Sequence, residues 1–284
     1  MSRALRSGRA RPRAVALGLL SAAGLAVTPA GAHEFWLEPS SFAPRRSETV
    51  TVAARSGVGF QGEARPFRGD RVVRFVAIAG RVLDLSGLGI EQDTVFARVR
   101  APDGGGMMIA YESNAASIEL PAADFDAYLE EEGLDGPLSV RRAAGLPAAL
   151  GRERYARCAK TWLTGRDGGR ARTACGLTLE LIPRGAPSRA GTLELELRFG
   201  GAPLPGALVR AWRRPLAPGP GARAGMAPDS VGPVMRATTD ARGRVRLPVA
   251  EPGEWLVSSV HMIADAEGPL AGWRSWWASL TFAR

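Results

Sequence analysis

Residues 192–199 alternate without a break. Leu193, Leu195, Leu197 and Phe199 fall on one side of an extended chain, and Glu194, Glu196 and Arg198 fall on the other. Successive side chains of a strand point to opposite faces, so this pattern suits a strand with one buried face and does not suit a helix. The same two-residue rhythm recurs in short runs bounded by Gly and Pro. Before residue 120 it marks 49–53, 71–78, 95–100 and 107–111, with Gly104-Gly105-Gly106 as a turn between the last two. After residue 175 it marks 177–181, 207–212, 234–238, 244–248, 254–263 and 273–282. Short strands at this spacing predict antiparallel sandwiches.

Between the two sets of strands the texture changes. Residues 122–132 place Phe125, Tyr128 and Leu129 on one helical face, with Gly133 as a stop. From 147 to 164, Leu150, Tyr155, Cys158 and Trp162 recur at roughly helical spacing. A Pro/Gly/Ser-rich junction follows at 183–191, and residues 215–233 read as a long Pro/Gly/Ala loop. The expectation is a mainly β protein of two antiparallel β-sandwich-like units, 33–185 and 186–284. A helical insertion at 122–164 interrupts the first unit. On a strand, Trp276, Ala278, Leu280 and Phe282 share one face and Trp273 and Trp277 the other. That arrangement favours core packing over a sugar-stacking platform. The acidic run Glu130-Glu131-Glu132 reads as a solvated helix end, although carboxylates there oppose the helix dipole.

The first 32 residues read as a secretory signal. Five arginines and no acid lead into the apolar run 14–27, and Ala30-Gly31-Ala32 offers the small residues a signal peptidase needs. The apolar run is shorter than the roughly 20 residues a membrane span requires. Cleavage after Ala32 and export to the periplasm are therefore expected. Without the five signal arginines, 32 basic residues stand against 28 acidic ones, so the formal charge of +9 overstates the basicity. No basic block interleaved with aromatics is present, which argues against nucleic acid as a partner. Cys158 and Cys175 are the only cysteines, and in an exported protein they are expected to pair. The loop so closed would stabilise the fold by roughly 3 kcal/mol. A thiolate metal site is the alternative, but the spacing is far from a CxxC pattern.

Only two histidines occur, His33 and His261. Cleavage after Ala32 would give His33 a free α-amine beside its imidazole, and the two nitrogens can chelate one metal ion. His261 could add a third nitrogen, giving a set that resembles a histidine brace. Asp265 and Glu267 near His261, and Glu34 beside His33, are candidates to orient the ligands. Amine and imidazole donors suit copper and nickel. No HExxH, nucleophile elbow or phosphate loop is present, so catalysis is not expected.

The segment Ala32-His33-Glu34-Phe35-Trp36-Leu37-Glu38-Pro39 resembles the opening of DUF4198 proteins. So do Arg152-Glu153-Arg154-Tyr155, the Gly201–Ala207 segment, Thr239-Asp240-Ala241-Arg242-Gly243 and Pro252-Gly253-Glu254-Trp255. The last two pieces also look like the transthyretin-like or carboxypeptidase-regulatory sandwich, which is expected for the C-terminal unit. The resemblance implies an exported β-rich protein of the NikM-like kind, the periplasmic component of cobalt or nickel uptake. It would bind nickel or cobalt, with copper also suited by the donor set, and partner a membrane metal transporter. A metal-free module binding a protein or glycan is the alternative, and a copper-dependent oxidase a distant third.

Overall fold

The computed structural model describes residues 33–103, 106–146, 148–165, 174–215, 232–265 and 272–284. The expected signal peptide, Glu267, the loop 166–170 and most of the loop 215–233 lie outside the described residues. In the first half the strands are β1 (Glu34–Pro39), β2 (Thr49–Val58), β3 (Gln61–Arg65), β4 (Val72–Ile78), β5 (Val82–Asp84), β6 (Val95–Arg100), β7 (Met107–Ser113) and β8 (Ala116–Leu120). Helices α1 (Ala122–Glu131) and α2 (Asp135–Ala143) follow, then the long β9 (Gly151–Leu163). The second half supplies β10 (Leu179–Pro183), β11 (Thr192–Phe199), β12 (Ala202–Pro203), β13 (Leu208–Arg214), β14 (Met235–Thr238), β15 (Arg244–Pro248), β16 (Glu254–Asp265) and β17 (Gly272–Ala283).

These strands form three layers. The central sheet runs β14-β13-β16-β17-β9-β7-β4-β5, with β8 also on β9. One outer sheet holds β1, β2, β3 and β6, and the other holds β10, β11, β12 and β15. The alternation read from 192–199 is realised in β11: Leu193, Leu195 and Leu197 join Val209, Val257, Ala278 and Leu280 of the central sheet in one core. On the opposite face, Phe75, Ile109, Tyr111 and Ala159 pack against Val50, Val52, Phe96 and Val99 of the other outer sheet. Beside that second core, α1 and α2 press Phe125, Leu129 and Leu138 onto Val260, Met262, Trp273 and Trp277. The tryptophans of β17 are thus core residues, divided between the two faces as their spacing requires.

One expectation is corrected. The second helical stretch, 147–164, forms no helix: β9 spans most of it. From Ala156 to Leu163 it is buried on both faces, so apolar residues occupy both parities and the two-residue rhythm is hidden. The mainly β, sandwich-like architecture is as expected, and β9 and β17 add a parallel pairing, from Glu153↔Trp273 to Trp162↔Phe282, through which the two halves share one central sheet.

Candidate functional site

The sequence around His33 docks β1 onto the central sheet. Glu34, Trp36 and Glu38 face one way and meet Arg210, Trp212 and Arg214 of β13, an acid–indole–acid row on a base–indole–base row. Arg210 Nη2 donates to Glu34 at 2.8 Å and Arg214 Nη2 to Glu38 at 2.8 Å, while Trp36 and Trp212 share a cluster with Phe60 and Leu256. Phe35 and Leu37 face the other way into the second core. The hairpin from β2 to β3 turns at Gly59 and Phe60, both at positive φ (55° and 68°), the geometry of a two-residue primed turn. An aromatic residue is unusual there. Its ring is held edge-on against Trp36 at 6.1 Å and beneath the Arg214 guanidinium at 4.5 Å.

The hairpin and the start of β1 wall a cleft of about 730 Å³. His33 and Phe35 lie on its β1 side, and Gly57, Gly62, Glu63 and Arg65 on its hairpin side. Arg68, Asp70 and Arg71 close one end, and Phe96, Tyr111, Tyr155 and Arg157 line the rest. Arg157 is buried and donates from Nη1 to the His33 carbonyl at 2.7 Å. Its guanidinium stacks 4.7 Å from the Tyr155 ring and 4.9 Å from the Trp277 ring. Burial lowers its pKa, against the pull of neighbouring groups that include Glu153 and Glu34. Burial likewise pushes the Tyr111 hydroxyl up to about 12. The Arg71 guanidinium is fixed by the carbonyls of Asn114 and Ala115, each at 3.2 Å. Arg68 pairs with Asp70 at 2.8 Å.

Behind His33, Arg210 holds two carboxylates, Glu34 at 2.8 Å and Glu132 at 2.5 Å. Burial pushes Glu132 up to about 8 despite the Arg210 charge beside it, and raises Glu34 in the same direction. The helix end read as solvated is therefore solvated only in part. Glu130 pairs with Arg142 at the surface, but Gly133 (φ +66°) ends the helix and Glu132 lies buried against Arg210.

The predicted ligands are not brought together. His261 follows Trp255 and Val257 in parity, and its ring lies 4.4 Å from that of Phe199, on the face covered by β10, β11, β12 and β15. Burial lowers its pKa and favours the neutral ring. His33 lies on the opposite face, with Arg157 and Tyr155. The central sheet separates them, and packed layers are about 10 Å apart, so the three-nitrogen site is corrected to two unrelated histidines. Glu34 is engaged by Arg210 rather than by either ring, and Asp265 accepts from Arg154 Nη2 at 2.8 Å. Among the described residues, no group of three or more His, Cys, Asp or Glu side chains could hold a metal ion.

The cysteine pairing is also corrected. Cys158 and Cys175 are buried thiols in the same core and are not bridged. Burial raises both thiol pKa values, that of Cys175 to about 11. Nearby, the carboxylate of Glu180 accepts from the Cys175 and Gly176 amides and from Lys160 Nζ, the last at 2.7 Å. That contact already ties the 174–180 segment to β9. Sequence reasoning missed the cleft because Arg65, Arg68 and Arg71, close together in the chain, meet Arg157 of β9 only through the fold.

Fold and site together define a mainly β, layered sandwich protein with one polar, aromatic-lined cleft beside β1. Over residues 30–263 the sequence matches the family described as a domain of unknown function, DUF4198, and the chain belongs to that family. No curated protein matches. Among solved structures, the D0-D1 domain of Intimin is similar at 12% identity, covering 88% of this chain and 97% of that one, with a TM-score of 0.19. A likeness at that score carries no argument about this chain.

Proposed function

We propose that this is an exported protein that binds a transition metal (nickel, cobalt or copper) through the α-amine and imidazole of a processed N-terminal His33, as an accessory to metal uptake by a membrane transporter. The observation that carries this reading is the position of His33 on the wall of the cleft. Nδ1, the ring nitrogen within reach of the residue's own α-amine, is buried at that wall. Amine and ring belong to one residue, so the second donor is ordered once the first is bound. The test is expression with the native leader, mass determination of the mature N-terminus, and metal analysis of the purified protein. A start at His33 with close to one equivalent of metal supports the reading. A start elsewhere, or metal content that does not change when His33 is replaced by alanine, overturns it.

A second reading is favoured by the rest of the lining. Arginines beside Phe35, Phe96, Tyr111 and Tyr155 suit a metal-free ligand with a negative charge and a flat or sugar-like body.

A further inference from the structure

We infer that the cleft receives its metal already complexed by a small polycarboxylate, with the arginines holding the anion and His33 completing the coordination sphere. This rests on the metal reading above and adds the chemical form of the cargo. The first argument is the sign of the charge. Four arginines line the cleft (Arg65, Arg68, Arg71 and Arg157) against two carboxylates, Glu63 and Asp70. Asp70 and Arg68 pair with each other and Glu34 and Glu153 lie near Arg157, so the excess positive charge rests on Arg65 and Arg71 against Glu63. The carbonyls that fix Arg71 orient its guanidinium without neutralising it. A bare divalent cation would enter against this field, whereas an anionic complex is drawn in by it.

The second argument is the number of donors. His33 supplies at most two nitrogens, and no group of three or more protein ligands occurs among the described residues. First-row divalent ions fill their remaining positions with oxygen donors when these are at hand, and a carboxylate chelator brings them. Third, a volume of about 730 Å³ is that of a small-molecule site rather than of a single ion. Binding exchanges water molecules on the complex for the amine and ring nitrogens, and the proton of the α-ammonium passes to solvent. No oxidation state changes.

The test is titration calorimetry of protein starting at His33 with three titrants: Ni(II) alone in a non-coordinating buffer, citrate alone, and the 1:1 Ni(II)–citrate complex. Citrate competes for the free ion, so it weakens binding if the aqua ion is the cargo and strengthens it if the complex is. The complex is expected to bind at least about tenfold more tightly than Ni(II) alone. Extending the N-terminus by one residue should remove that advantage. Arg65→Glu, at an exposed position on β3, should weaken the complex about fivefold and improve binding of the bare ion, since it reverses a charge on the cleft wall. Circular dichroism confirms that each variant is folded. If Ni(II) alone binds as tightly as the complex, the inference is overturned while the metal reading stands. If citrate binds equally with and without Ni(II), and the extension has no effect, both fall and the cleft is a metal-free anion site. Absence of binding by all three titrants overturns both.

Discussion

Lys160 is the only lysine of the chain and is fully buried, and its replacement by methionine has a calculable outcome. Its Nζ lies 2.7 Å from Glu180 Oε1 and 3.0 Å from the Leu181 carbonyl. Glu180 also accepts from the amides of Cys175, Gly176 and Leu177. Lys160→Met keeps the apolar stem and removes the cation. A buried carboxylate is then left with amide donors alone, a loss of about 3–5 kcal/mol for breaking a buried pair from one side. With a urea slope of about 2–3 kcal/mol per molar, the unfolding midpoint falls by roughly 1–2 M. Adding Glu180→Gln removes the uncompensated charge, so the double variant should recover about 1 kcal/mol or more over Lys160→Met. Urea titrations followed by tryptophan fluorescence measure all three proteins. A midpoint shift under about 0.3 M for Lys160→Met, or a double variant less stable than the single one, would refute the reasoning.

One contribution to stability should fall as pH rises from about 5 to 8. Glu132, held near 8 in the fold against an ordinary 4.5, keeps a proton that the unfolded chain releases in that window. Glu132→Gln should remove a pH-dependent part of no more than about 5 kcal/mol; urea midpoints at pH 5, 6.5 and 8 that run parallel in parent and variant would contradict this. Gly62→Ala should destabilise the hairpin wall by about 1–3 kcal/mol, because its Cβ would lie 2.4 Å from the Ser56 carbonyl oxygen and 2.7 Å from the Trp36 ring; a thermal melt unchanged from the parent counts against that packing. Cys158 and Cys175, with raised thiol pKa values, should resist alkylation in the native state and both react in denaturant without reductant. A single linked pair in non-reducing mass spectrometry would be the contrary result.

Strands whose apolar residues keep to one parity were legible in the sequence, as β11 and β15 illustrate: their observed bounds are those read from the alternation. β9 was not, since burial on both faces erases the signal that separates strand from helix. β3 was missed because its hairpin turns on Phe60, a residue that turn chemistry would not nominate; tertiary packing on Trp36 and Arg214 holds it there. The expected cleavage site and the family resemblance drew attention to His33, and it does line the cleft. The supposed partnership with His261 rested on residue type alone. Which face of the central sheet each histidine occupies depends on register and layer order, and neither was available from the spacing. Glu34 and Glu38 have a structural role that emerges only when β13 is set beside them.

The central claim is that one residue, His33, supplies the protein's metal donors and His261 supplies none. Electron paramagnetic resonance of Cu(II) bound to the His33-start protein tests it most directly, run alongside His261→Ala and a one-residue N-terminal extension. The account predicts nitrogen couplings from an amine and one imidazole, an unchanged spectrum for His261→Ala, and loss of that signal in the extended protein. A spectrum altered by His261→Ala, or retained when the α-amine is converted to an amide, would contradict it.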